Sequence, residues 1–240
     1  MVITGRSRKP LFSQEARGFE SHLLRIGKFK WFESESPSKL ESPKRRFFGR
    51  IGYMITKEII NKVKEFAYLQ TEEYSTPPIF QIDFGNEKAQ ELAEIFSANK
   101  GIVLIGTSLM DCMLGFALRQ GKIEEHIKMS EEKAREFLSK FSEIEESERE
   151  NILHCIREHH GVDKFYSIES EICCNADCYK FSSVKGVIGG MIYSREMSLE
   201  DKVKLFLKKA DEKWNTLSLD ICKKELEPEY KAIKTFLTQF

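Results

Sequence analysis

The chain has 240 residues, 41% hydrophobic and 32% charged, with a formal net charge of zero. That is enough for one sizeable core, and nothing in the composition marks a disulfide-rich secreted or membrane-spanning class. The six cysteines stand without a signal-peptide-like apolar run at the N-terminus, and the most apolar stretch, "GIVLIGTSLMDCMLGFAL", is interrupted by Gly106, Asp111 and Gly115 and is short for a membrane span. The expectation is a reducing, cytoplasmic protein that keeps its thiols free and has no transmembrane segment.

Neutrality hides an asymmetry. Residues 1–50 carry 12 Lys/Arg against 5 Asp/Glu, leaving 26 against 33 in the rest, so a basic arm precedes an acidic body. Pro10, Pro37 and Pro43, the patch "ESESPSKLESPKRR" and scattered aromatics (Phe29, Trp31, Phe32) show no sustained period. Residues 1–52 read as a flexible basic arm. Its mix of Lys/Arg and aromatics suits phosphates and bases or an anionic membrane surface, but a solubilising terminus is the favoured reading.

From residue 56 onward apolar residues recur at helical spacing. Ile59, Ile60, Val63, Phe66 and Ala67 form one face, which "TPP" at 76–78 ends. "PPIFQIDF" is a short apolar run that could be strand-like, and Asn86 can cap a helix striped by Ala89, Leu92, Ala93 and Phe96. Residues 102–118 are apolar on all sides, as in a central helix. Ser130 opens another with Ala134, Phe137, Leu138 and Phe141 inward, and a helix over about 146–160 stops at Gly161. Ser167 caps 168–181, Ser198 caps 199–217, and Pro228 sits as the first residue of a last helix. The fold class is all-α, with 53–197 as a helical domain and 198–240 as C-terminal helices packing on it.

"NILHCIREHHG" (151–161) holds three of the chain's five histidines. On a helical wheel His159 shares the face of Ile152 and Ile156, His154 lies opposite, and His160 lies roughly 100° away. Imidazoles at a helix C-terminus suit the macrodipole, and an inward histidine can be a hydrogen-bonded core residue. A metal site is the sharper alternative. Asp111 sits in an apolar segment where an unpaired carboxylate is costly, Asp177 lies in "EICCNADCYKF", and His126 in "KIEEHIKMS". Two carboxylates and two imidazoles in apolar settings are a ligand set for Mn, Fe, Zn and similar ions. Lys128, Arg157 and Lys180 are near these residues in sequence and suit a phosphate, or are solvated surface charges. Cys173, Cys174 and Cys178 read either as zinc ligands or as small core residues, the second being preferred.

Residues of roughly 80–182 resemble the HD-domain superfamily of metal-dependent phosphohydrolases. "LIGTSLMDCMLG" is similar to the segment around that family's His-Asp pair, "EEHIKMSEEKAREFL" to its following His, "ILHCIREHHG" to its Ile-x-x-His ending, and "SIESEICCNADCYKF" to its late Ala-Asp helix. Two departures stand out: Met110-Asp111 replaces His-Asp, and "QIDF" at 81–84 has Asp83 where an early His is expected.

The resemblance implies an HD-like helical bundle binding a divalent ion (Mn, Fe, Co, Ni or Zn). Asp111, His126, His159 (or His160) and Asp177 are its expected ligands, with Asp111, Asp177 and Lys180 the expected catalytic residues. The implied activity is hydrolysis of a nucleotide or other small phosphoester by a metal-activated water. The missing imidazoles leave open a degenerate binding or regulatory module, and a two-His, one-carboxylate set also suits a non-haem iron oxygenase.

Overall fold

A computed structural model describes residues 55–194 and 197–240. The expected arm at 1–52 lies outside the described residues. Ten α-helices and one 3₁₀ turn make up the described chain, with no strand among these residues. The helices are α1 (Lys57–Tyr74), α2 (Ile79–Ile95), α3 (Lys100–Leu109), α4 (Leu114–Arg119), α5 (His126–Leu138), α6 (Glu146–Arg157), α7 (Ile168–Ser182), α8 (Val184–Tyr193), α9 (Leu199–Thr216) and α10 (Asp220–Leu237), with the 3₁₀ turn at Ile123–Glu125. Helix starts are written in local chemistry. Thr56, Asn99, Ser167, Ser183 and Ser198 each accept a backbone N–H of the first turn they precede.

α7 is the central helix, packed against α2, α3, α6, α8, α9 and α10. Its buried side chains therefore cover more than one face, including Ile172, Cys173, Cys174, Ala176, Cys178 and Tyr179. A second apolar cluster of Val187, Val203, Phe206, Ala210, Ile233 and Leu237 joins α8, α9 and α10. α9 and α10 also reach the main core through Leu217, Leu219, Cys222 and Leu226.

Four local expectations need correction. "PPIFQIDF" opens α2 instead of forming a strand. Its continuous apolar character reflects a helix covered by α3, α7 and α8 on several sides. Asn86 is no cap: it lies buried inside α2 and bonds Thr107 and Ser108 of α3. Ser130 is likewise inside α5, where its hydroxyl accepts the Met113 N–H. Pro228 falls within α10, whose start at Asp220 is held by Cys222 and Leu226 in the core.

The expected helix at 102–118 breaks at residues 110–113 into α3 and α4. Residues 100–119 are long and apolar enough to cross a membrane by length and composition alone, with 61% of the segment's most apolar window buried in the fold. The break turns the chain here and brings Asp111 to the end of α3, facing α5, α6 and α7.

Candidate metal centre

Five places in the fold converge on one point. Asp111 comes from the α3–α4 turn, His126 is the first residue of α5, and His159 and His160 follow the end of α6 in a turn closed by Gly161 at φ +90°. Asp177 and Lys180 project from successive inward positions of α7, and Lys213 from α9.

The two inner imidazoles are oriented the same way. His126 Nδ1 donates to the Ile123 carbonyl at 2.6 Å and His159 Nδ1 donates to the Ile156 carbonyl at 2.7 Å. A carbonyl can only accept, so the proton of each neutral ring belongs on Nδ1, and Nε2 carries the lone pair. Those Nε2 atoms face Asp111 Oδ1, at 3.8 Å from His126 and 3.4 Å from His159. His159 is fully buried, and its Nε2 has no hydrogen-bond partner.

An orphaned lone pair aimed at a carboxylate is costly by itself. A cation between the groups would satisfy both. One ligand nitrogen from each of His126, His159 and His160 lies within 4.8 Å of the others. For bonds of about 2.1 Å, the edge of a tetrahedral ligand set is about 3.4 Å, so the spacing and the nitrogen-plus-carboxylate chemistry fit a divalent transition ion. Among the described residues this is the one such cluster. Fixing Nδ1 with a carbonyl is how metal-binding histidines are commonly oriented.

His160 is partly exposed at the edge of the cluster. Its burial, then the neighbouring His159 and Lys213, pull its pKa down to about 3, which keeps the ring neutral with a lone pair to offer. Asp111 is a buried carboxylate whose burial alone would raise its pKa. The Lys180 ammonium, followed by His159 and His126, outweighs that and holds it well below the usual carboxylate range.

Asp177 has different company. Its Oδ1 lies 2.9 Å from Lys180 Nζ, and its Oδ2 lies 2.6 Å from Lys213 Nζ, a close ion pair off the angle of a regular hydrogen bond. Lys180 also donates to Asp111 Oδ2 at 3.2 Å. Both lysines are almost wholly buried. Against the desolvation that would lower them, the paired carboxylates raise the pKa of both, and the same lysines, Lys213 first, depress Asp177 below its ordinary value. Two ammoniums and two carboxylates thus form one balanced buried network.

Other candidate residues lie elsewhere. Asp83 faces α1, where it meets Tyr68 and Lys64. His154 stacks on Tyr166 and pairs with Glu158 at 2.7 Å. Lys128 is exposed, and Arg157 is taken up by Glu131. The α7 cysteines are buried core thiols, with Cys173 Sγ 3.6 Å from the Val103 carbonyl. Lys213 was not among the residues singled out from the sequence. The spacing Val203, Phe206, Ala210, Lys213 is the signal that identifies it.

No family profile matches the chain, and no curated protein matches it in sequence. Its shape does match solved structures. A predicted HD superfamily hydrolase from an uncultured Thermotogales bacterium aligns at TM-score 0.55 and 17% identity over 75% of this chain and 90% of that one. An HD-superfamily hydrolase from Bacillus thuringiensis aligns at 0.54 and 19% over 77% and 95%, and Bacillus subtilis YpgQ at 0.54 and 14% over 75% and 92%. Helix order, an all-α bundle and these superpositions lead to one conclusion: the chain has the HD-domain superfamily fold.

Proposed function

We propose that this protein is a divalent-metal-dependent phosphohydrolase acting on a nucleotide or another small phosphoester. The observation that carries the reading is the convergence of the His126 and His159 Nε2 atoms, each ring fixed through Nδ1, on Asp111 Oδ1 beside His160. Similarity in fold to proteins described as HD superfamily hydrolases supports the reaction class. Six buried thiols favour a reducing compartment such as the cytoplasm.

In this reading Asp111, His126, His159 and His160 hold the ion. When bound, it supplies Lewis acidity and a water that loses its proton near neutral pH. The chain's own groups do the rest. Lys180 engages Asp111 Oδ2 and leaves Oδ1 facing the imidazoles. The side chains of Asp111 and His126 are 14% and 10% exposed, so with His160 they form the edge a phosphoester reaches, while His159, Lys180 and Lys213 seal the base. Asp177, with both oxygens engaged by lysines, acts as the counter-ion that fixes Lys180 instead of serving as a ligand. Because the two lysines cancel the two carboxylates, a bound dication leaves the centre positive, which suits an anionic phosphoester.

A second reading has its own observation. Met110 is fully buried where the resemblance expects an imidazole, which favours a module that binds phosphorylated ligands without turning them over. The test is metal analysis of the purified protein, then phosphoester turnover with Mn, Fe, Co, Ni and Zn. The phosphohydrolase reading expects turnover that Asp111→Asn lowers by at least a hundredfold together with loss of the ion, on the scale of removing a principal catalytic interaction. Ligand binding without turnover selects the module, and protein that neither carries nor is stabilised by any of these metals refutes both metal roles.

A further inference from the structure

Lys180 Nζ lies between two carboxylates, 3.2 Å from Asp111 Oδ2 and 2.9 Å from Asp177 Oδ1, with its side chain 3% exposed. An ammonium held by two acids away from water stands where a metal ion bridging those acids would stand. We propose that Lys180 is a built-in cation occupying a second ion position, so that the protein takes up one divalent ion fewer than its buried acids would otherwise hold. This deepens the metal-dependent reading above and rests on it only for the ion on the histidine side.

The surroundings of the lysine support the assignment. Its stem runs past Gly85 of α2, where an added Cβ would lie 3.0 Å from Lys180 Cε and 3.9 Å from the Met110 methyl. The half of the site beside α2 and residue 110 is thus filled by an aliphatic stem, a methionine and a glycine, and offers no imidazole. Lys213 completes the arrangement by taking Asp177 Oδ2. With Lys180 and Lys213 in place the two acids are neutralised by the chain itself, and Asp111 has only Oδ1 left for an ion on the histidine side. Lys180 is therefore a positioning residue: it divides the two oxygens of Asp111 between a fixed cation and an exchangeable one.

The experiment compares Mn²⁺ bound per chain, by equilibrium dialysis and elemental analysis, in the full-length protein and in Lys180→Ala. The expected result is one more ion per chain in the variant than in the wild type, and no gain in Lys180→Ala/Asp177→Asn, which removes one of the two acids. Removing one partner of a buried ion pair is strongly destabilising, so folding is followed by circular dichroism with and without Mn²⁺. A variant that folds only when Mn²⁺ is added is equally an expected result, because the added ion then does the lysine's work. Equal stoichiometry in wild type and Lys180→Ala overturns the proposal, as does an unfolded variant that Mn²⁺ does not rescue. The wild-type count reports separately on the histidine site: zero ions there sinks the metal-dependent reading, while a gain in the variant still upholds the role of Lys180.

Discussion

Arg157 lies two residues from His159, yet its guanidinium turns away from the cluster and forks onto Glu131 of α5. Its Nε meets Oε2 at 3.0 Å and its Nη2 meets Oε1 at 2.6 Å. Those hydrogen bonds are the main reason the Glu131 pKa lies below its ordinary value of 4.5. A depressed carboxylate stabilises the fold above its unfolded-state pKa and loses that contribution as pH falls through the folded-state value. Glu131→Gln therefore costs about 0.5–1 kcal/mol at neutral pH, a small figure because Arg157 is 38% exposed and the pair is partly screened. The difference in urea midpoint from wild type shrinks as pH is taken below the carboxylate range; a gap that stays constant contradicts the linkage. The same scale shows what sequence spacing can and cannot convey. His159 is buried, as its spacing from Ile152 and Ile156 suggests. But α6 ends at Arg157, and the turn that follows, with the Ile156 carbonyl bonded to Nδ1, is what aims the ring. That Arg157 would be captured by a glutamate 26 positions away, or Lys213 by Asp177, depends on how distant helices cross, which no local period records.

Among the elements, α3 is the one that sets distances in the core, because α6 and α7 both approach it closely. A Cβ on Gly106 would lie 2.5 Å from Cys155 Cβ on α6 and 3.1 Å from Cys173 Sγ on α7. Alanine is the better helix former by about 1 kcal/mol, but overpacking a tight crossing costs about 1–3 kcal/mol and at times more. At 2.5 Å the neighbour is a Cβ fixed to backbone, so the clash wins. Gly106→Ala should lower the thermal midpoint by several degrees, on the scale of about 2–4 °C per kcal/mol for a chain of this size; an unchanged or raised midpoint means the helices move apart freely. Elements with their own caps were legible for that reason: Ser167 and Ser198 start α7 and α9 as their residue types indicate. The break at 110–113 was not, since the contact that holds it, Ser130 of α5 accepting the Met113 N–H, comes from 17 positions away. α8, with Gly186, Gly189 and Gly190, gave no helical signal, because glycine lowers intrinsic propensity while packing on α7, α2 and α10 holds the helix.

For the whole molecule, the six cysteines report on cooperativity. They lie in the α3–α4 turn, on α6, on α7 and on α10, and all are buried thiols. Burial pushes Cys112 up to about 12 and Cys222 up to about 11, and Cys155 and Cys178 well above the usual thiol range. Those four offer neither access nor thiolate in the folded state, and Cys173 and Cys174 are fully buried. α7 carries three of these cysteines and touches α2, α3, α6, α8, α9 and α10, so exposing it breaks most helix interfaces at once. A thiol-specific disulfide reagent should therefore leave the native protein unlabelled at mildly alkaline pH. Along a urea titration all six thiols should become reactive together with the loss of helical circular dichroism, as two-state unfolding requires. Cys222 is the informative probe for the proposal that residues 198–240 belong to the same cooperative unit, since α10 enters the core through Cys222 and Leu226 while Tyr179 donates to Glu225 at 2.7 Å. Labelling of Cys222 ahead of the α7 thiols would show the C-terminal helices opening by themselves, and with them Lys213 leaving Asp177 while the histidine cluster stays in place.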